Sequence, residues 1–174
     1  MNFFIFFIVI LLILVVLLKL FSTIISIISG SPSRETSAEL IKKVFQEIDI
    51  KKNDNFVDLG SGFGNVVLAV NDNYHLKNIT GYEISPLPYL FSKIRILNHK
   101  NIKINYQNML QADLSKSNIV FCYLWPELIQ KIIPKLQREL PKGAILISPV
   151  FKAAHLDPVK ILSVSNKKIY IYKF

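Results

Sequence analysis

From Met1 to Leu18 the chain carries no charged side chain, and nearly every residue is Phe, Ile, Leu or Val. A globular domain of this size cannot surround such a helix on all sides, so the segment must find apolar surroundings elsewhere. A bilayer core about 30 Å thick takes roughly 20 apolar helical residues. The run resumes after Lys19 with Leu20 to Ile28, and a helix continuing through Lys19 spans easily, its ammonium snorkelling to the interface. Gly30 and Pro32 supply the stop. Residues 1–30 therefore read as one transmembrane anchor and 31–174 as a separate domain. A cleavable signal peptide is the alternative. It needs a positive n-region and a shorter apolar core, and no Lys or Arg precedes this run; the small residues Ser29-Gly30-Ser31 keep a cleavage site open. Lys19, Arg34, Lys42 and Lys43 follow the helix, and only the α-amine precedes it. The positive-inside rule then makes this a single-pass membrane protein with its domain on the cytoplasmic side.

The apolar fraction, 51% with a net charge of +9 over 174 residues, owes its excess to that block. The remainder has the composition of an ordinary α/β domain. Cys122 stands alone, so an intrachain disulfide is excluded. His75, His99 and His155 lack ligand spacing, and structural zinc needs about four ligands, so no metal is expected. The basic residues are spread rather than clustered. That suits the anionic face of a membrane, and no nucleic-acid partner is expected.

After a short linker, Ser31 to Thr36, the residues Ala38, Ile41, Val44, Phe45 and Ile48 recur at helical spacing, with Thr36 or Ser37 as cap. From Asn55 strands and helices alternate. Strands are expected at Asn55–Leu59, Ile79–Glu83, Ile102–Tyr106, Ile119–Tyr123 and Gly143–Ser148. Helices are expected from Asn65, over Pro88–Leu97, and over Glu127–Leu140 with Pro134 kinking it. Val159–Val164 and Lys168–Tyr172, joined by a short Asn-containing turn, form a closing hairpin. The alternation implies an α/β fold, a doubly wound and mostly parallel sheet with a C-terminal antiparallel hairpin.

The chemistry is concentrated in Val57-Asp58-Leu59-Gly60-Ser61-Gly62-Phe63-Gly64-Asn65-Val66, where the first strand turns into a helix. Ligands of such sheets bind beyond the C-terminal strand ends, close to this turn. A dinucleotide fingerprint needs a glycine three positions after the second one; Asn65 stands there instead, and the glycines fall at every second position. Asp58 would repel a pyrophosphate and suits a ligand with a cationic amino group. Glu83, about 20 residues on, ends the second strand where an acid can accept both hydroxyls of a ribose. S-adenosylmethionine carries a ribose, an ammonium and a sulfonium, and no phosphate.

Asp58-Leu59-Gly60-Ser61-Gly62-Phe63-Gly64, followed by Gly81-Tyr82-Glu83, resembles the first two motifs of the Rossmann-like class I methyltransferases. The resemblance extends to small membrane-anchored protein lysine methyltransferases, including those acting on the ATP synthase c subunit. It is carried by the apolar N-terminus, Pro32-Ser33, Asn108-Met109, Asp113-Leu114-Ser115, Lys135-Leu136, Glu139-Leu140-Pro141, Gly143-Ala144 and Phe151. It implies that S-adenosylmethionine is the cofactor. Asp58 would hold its amino group, directly or through water. Gly60, Ser61, Gly62 and Gly64 would line the methionine and ribose, and Glu83 would bind the ribose. Ile84 and Met109 would sandwich the adenine, and Asn108 would accept from its amino group. Phe63 departs from the Asp or Asn common at its place.

Tyr123, Leu124, Trp125 and Pro126 follow the fourth strand, where class I enzymes place substrate-side residues. Their aromatics could shape a channel for an amine and favour the sulfonium, or simply pack. Tyr123 and Trp125 are the catalytic candidates, with Tyr123 the candidate proton acceptor. Cys122, inside an apolar strand, reads as a buried hydrophobe. The resulting expectation is methyl transfer to a lysine of a membrane-associated protein. A lipid or small membrane-associated molecule is the rival substrate, and a non-catalytic membrane scaffold that binds S-adenosylmethionine or a nucleotide is the rival of another class.

Overall fold

A computed structural model describes residues 3–28, 36 and 38–174. The stop at Gly30 and Pro32, the Pro32-Ser33 element, a cap at Ser37 and all of the linker except Thr36 lie outside the described residues. Helix α1 (Phe3–Ile28) precedes α2 (Ala38–Gln46). Then follow β1 (Asn55–Leu59), α3 (Asn65–Tyr74), β2 (Asn78–Glu83), α4 (Pro86–Arg95) and β3 (Ile102–Tyr106). A single 3-10 turn (Met109–Gln111), β4 (Ile119–Cys122), α5 (Pro126–Glu139), β5 (Ile145–Pro149), β6 (Lys160–Val164) and β7 (Lys167–Lys173) complete the chain.

All seven strands join one sheet in the order β3-β2-β1-β4-β5-β7-β6, parallel from β3 to β5 and antiparallel at β7 and β6. The strands at its centre are apolar on both faces because both faces are covered. Phe56, Ile79, Ile104, Phe121 and Ile147 look toward a core with α2 and α3, formed with Leu40, Ile41, Val44, Phe45, Val67 and Val70. Val57, Leu59, Val120, Cys122 and Leu146 look the other way, onto Leu128, Ile129, Ile132 and Leu136 of α5. The hairpin turn places Ser165 and Asn166 at φ 47° and 63°, the left-handed pair that matches strand twist. Helix α2 and Glu47 just after it are tied to that hairpin, Glu47 by Lys160 and Glu39 by the Ser165 hydroxyl, which donates to it at 3.0 Å.

Three expectations shift in detail. Helix α4 begins at Pro86, at its first turn, where a missing N–H is harmless. Helix α5 keeps Pro134 inside it, on the exposed side. Strand β4 stops at Cys122, which puts Tyr123 in the connection beyond it. The closing antiparallel hairpin forms as expected, with β7 inserted between β5 and β6.

The helix α1 is exposed along almost its whole length, and Phe3–Ile25 is long and apolar enough to cross a membrane. It contacts α4, and Ser22 is buried.

Gly81, mid-strand in β2, stands between Asp58 of β1 and Ile104 of β3 in register. A Cβ there would meet Ser61 Oγ at 2.6 Å, and both Ser61 Cβ and Ile104 Cδ1 at 2.8 Å. Gly81→Ala should therefore cost about 1–3 kcal/mol in urea unfolding. Adding Ser61→Ala should recover only part of that, since two of the three contacts persist; full recovery would refute the steric reading.

Candidate active site

The turn after β1 is latched to the end of β2. Gly60 and Ser61 both donate their N–H groups to Tyr82 O, each at 2.9 Å. Gly62 N–H donates to Glu83 Oε2 at 2.7 Å, while Glu83 Oε1 accepts from Ile84 and Ser85 N–H at 2.9 and 2.7 Å. Glu83 thus clamps the β1–α3 turn to the β2–α4 turn, using three of its carboxylate's roughly four acceptor positions. Gly60, Gly62 and Gly64 take left-handed φ of 82°, 52° and 80°. At Gly64 the demand is also steric: a Cβ would come within 3.3 Å of Ser92 Cβ, so the glycine lets α3 and α4 approach.

Two polar side chains, one at the end of β1 and one in the turn, have no partner among the described residues. Ser61 Oγ is buried with no hydrogen bond among the described residues. Asp58 is 2% exposed, and among the described residues no cation or donor reaches its carboxylate. Burial, reinforced by the charge of Glu83, pushes its pKa up to about 8. Buried polar groups are ordinarily satisfied, so an acid held this way is built for something brought from outside.

Beside the turn, on the α5 side of the sheet, opens a cavity lined by Gly60, Glu83, Ile84, Asn108 and Met109. These five expected cofactor residues, scattered over 50 positions of sequence, meet there because β1, β2 and β3 are adjacent and parallel. Ser61, Gly62 and Gly64 belong to the turn and Asp58 to the end of β1 before it; none of the four is among the residues lining the cavity. Asn108 Oδ1 caps the 3-10 turn by accepting from Leu110 N–H at 3.0 Å, which aims Met109 inward and commits one of that oxygen's lone pairs. Tyr82, Gln107, Leu110, Leu128 and Lys131 complete the lining and escaped the sequence reading. A signal existed for two of them: Leu128 and Lys131 are three apart on one helix and so share a face.

Tyr123 and Trp125 sit apart from this cavity. Trp125 is 43% exposed and stacks on Phe151, 6.2 Å between centroids at 19°. Lys167 Nζ lies 5.8 Å from the Tyr123 ring. Between Pro149 and Phe151 the chain is bent so tightly that Phe151 N–H donates to Pro149 O at 2.9 Å, with Val150 at φ 71°. A β-branched residue there is strained, and the bend delivers Phe151 to Trp125. Cys122 is buried with its thiol pushed up to about 12 by burial, which leaves it inert.

A parallel sheet closed by an antiparallel β7, a Gly-rich first turn over a lone carboxylate, and an acid ending β2 define a class I, S-adenosylmethionine-dependent methyltransferase. The site fits that cofactor: a buried carboxylate awaiting a cation, an orphaned hydroxyl beside it and an apolar slot with polar edges. Residues 58–160 match the ANTKMT methyltransferase domain, and the chain belongs to that family. It is 22% identical to a protein-lysine N-methyltransferase of Saccharolobus islandicus over 85% of this chain and 96% of that protein. It is 28% identical to the adenine nucleotide translocase lysine N-methyltransferase of Mus musculus, over 67% of this chain and 52% of that protein; the match spans about half of the mouse relative. An RNA methyltransferase of Salinibacter ruber, solved with S-adenosyl-L-homocysteine, shares the fold at a TM-score of 0.76, with 22% identity, 80% of this chain and 93% of that chain covered.

Asp58 also makes stability depend on pH. The folded chain keeps a proton that the unfolded chain loses above the ordinary value of 3.8. The associated stability is complete below that value and is lost as pH rises toward about 8. Asp58→Asn should remove this dependence, by up to about 1.4 kcal/mol per pH unit. The variant should melt above the wild type at pH 8 and close to it at pH 4; melting curves that stay parallel across this range would rule the explanation out.

Proposed function

We propose that the chain transfers a methyl group from S-adenosylmethionine to the side-chain amine of a lysine in a membrane-associated protein, working from a membrane anchor formed by α1. The observation that carries the cofactor half is the buried Asp58 carboxylate, without a cation among the described residues, next to the orphaned Ser61 hydroxyl. The cofactor supplies an electrophilic methyl on a sulfonium. Asp58 holds the ammonium of the methionine portion and regains its charge in doing so. Glu83 offers its remaining acceptor position to the ribose. Ile84 and Met109 flank the adenine, and Asn108, capping with one lone pair of Oδ1, offers the other to the adenine amino group. Gly60, Ser61, Gly62 and Gly64 bring backbone close along the methionine and ribose. The protein's main contribution is alignment, which at best lowers such a barrier by roughly 7–11 kcal/mol.

An amine attacks only when neutral, so the acceptor lysine needs a water-poor approach or a proton acceptor. The Trp125–Phe151 stack and the Tyr123 ring line the connections after β4 and β5 and offer aromatic faces to a cation. Tyr123 remains the candidate acceptor of the proton, with Lys167 Nζ 5.8 Å from the centre of its ring. The lysine substrate is supported by the family and by the names of the archaeal and mouse relatives. The membrane reading is supported by the length and exposure of α1, and the basic residues that follow it favour a cytoplasmic domain.

Titration of the full chain with S-adenosylmethionine should give saturable heat. Asp58→Ala should weaken binding at least about tenfold, equivalent to 1.4 kcal/mol. Incubation with methyl-labelled S-adenosylmethionine and membranes should put label into protein as methyl-lysine. Label in lipid would replace the substrate reading, and binding without any transfer would leave the scaffold.

A second variant tests the substrate side. Trp125→Ala should lower the rate of methyl transfer while leaving S-adenosylmethionine affinity unchanged, because Trp125 lies outside the cofactor cavity. An equal loss of affinity would place Trp125 with the cofactor residues instead.

A further inference from the structure

Phe63 is unexplained by cofactor binding. It sits in the Gly-rich turn, 40% exposed, with its ring edge-on to Phe91 at 6.0 Å. Helix α4 and the turn that follows it have an inner row, Pro88, Ser92 and Ile96, that is buried. The outer row should be polar if water covered it. Instead it presents Leu90, Phe91, Ile94 and Leu97, 49%, 54%, 65% and 76% exposed. With Phe63 they make one continuous apolar face, and such faces on soluble domains mark contact surfaces.

Two observations identify the occupant. The first is continuity: α1 contacts α4, and Ser22, buried on α1, lies one helical turn past Leu18, where the uncharged run ends. At about 1.5 Å per residue, Ser22 falls about 6 Å beyond the run, toward the C-terminal, headgroup end of the spanning helix. The second is charge. From Ile84 to Ala112 there is no Asp or Glu, whereas Lys93, Arg95, Lys100 and Lys103 all fall within that stretch. An acid-free, basic stretch of chain that carries an apolar face matches an anionic leaflet.

We infer that the outer face of α4, together with Phe63, docks on the anionic bilayer that α1 spans, an inference that rests on the reading of α1 as an anchor. Arg95 connects this face to the site: its guanidinium donates to Phe63 O at 2.7 Å and to Asn65 Oδ1 at 2.5 Å. Docking therefore holds the cofactor turn at headgroup depth. The acceptor lysines within reach are those at the membrane surface, rather than those on domains extending far from it.

The test uses the full chain in vesicles of phosphatidylcholine and phosphatidylglycerol, with an environment-sensitive fluorophore on Leu97→Cys or on Ser115→Cys. Cys122 is buried and takes no label, and both substituted positions are exposed. Lipids brominated near the headgroup should quench the probe at 97 several-fold more than the probe at 115, and pure phosphatidylcholine should weaken that difference. Vesicle flotation is measured on the same samples. Chains that float while both probes are quenched equally would overturn the docking face and leave the anchor intact. Chains that fail to float would remove the anchor and the docking face together. Self-quenching at position 97, relieved by unlabelled chain, would assign the face to a second copy and likewise overturn the inference.

Discussion

The carboxylate of Glu83 is the joint on which the site depends. One oxygen takes the N–H of Gly62, and the other takes those of Ile84 and Ser85, so two turns from different βα units become one rigid surface. Charge-assisted bonds of this kind are among the stronger available to a backbone. The clamp explains why the left-handed glycines of the turn hold a defined shape, and why the cavity beside it already exists in the chain alone. It also frees Asp58 from any part in holding the turn together. That carboxylate is left with burial, a neighbouring negative charge and no partner among the described residues, which is a cost to folding and an affinity for a cation.

The two faces of the sheet divide the work. The α5 side carries the cavity, with Met109, Leu128 and Lys131 facing the ends of β1 and β2. The opposite side packs α2 and α3 into the larger core, and α4 flanks it with an apolar outer row left exposed. Beyond β4 and β5 stand Trp125 and Phe151, stacked because a strained bend at Val150 carries the second to the first. Strain of this sort persists only where surrounding structure over-determines it. Here Ser148 Oγ donates to Phe151 O and Val150 N–H donates to Lys168 O, at 2.8 and 2.7 Å.

Family membership and site geometry arrive at the same class by separate routes. The family match begins at Asp58, the residue whose burial is hardest to explain without a ligand. The departure of Phe63 from the common pattern of its turn has a counterpart in the structure, since that ring joins the exposed row of α4. A substitution that is idle for the cofactor thus becomes intelligible as part of a surface.

Much of the fold was legible in the residues because each element obeys a local rule. Apolar runs ending in Gly or Pro gave strands and helices within a few residues, and the spacing of Asp58, the glycines and Glu83 named the ligand-facing turn. An uncharged stretch as long as a bilayer core needs no tertiary information to be recognised. What only the folded chain decided was proximity across the sheet. Tyr82, Gln107 and Lys131 line the cavity because β2 is flanked by β1 and β3 and because α5 lies over that end. Strand order is a non-local choice that no local pattern encodes. The insertion of β7 between β5 and β6, the removal of Tyr123 from its strand and the capping duty of Asn108 belong to the same category. Hydrogen bonds and packing partners come from distant positions, so sequence specifies which residues can bind and the tertiary structure decides which of them meet.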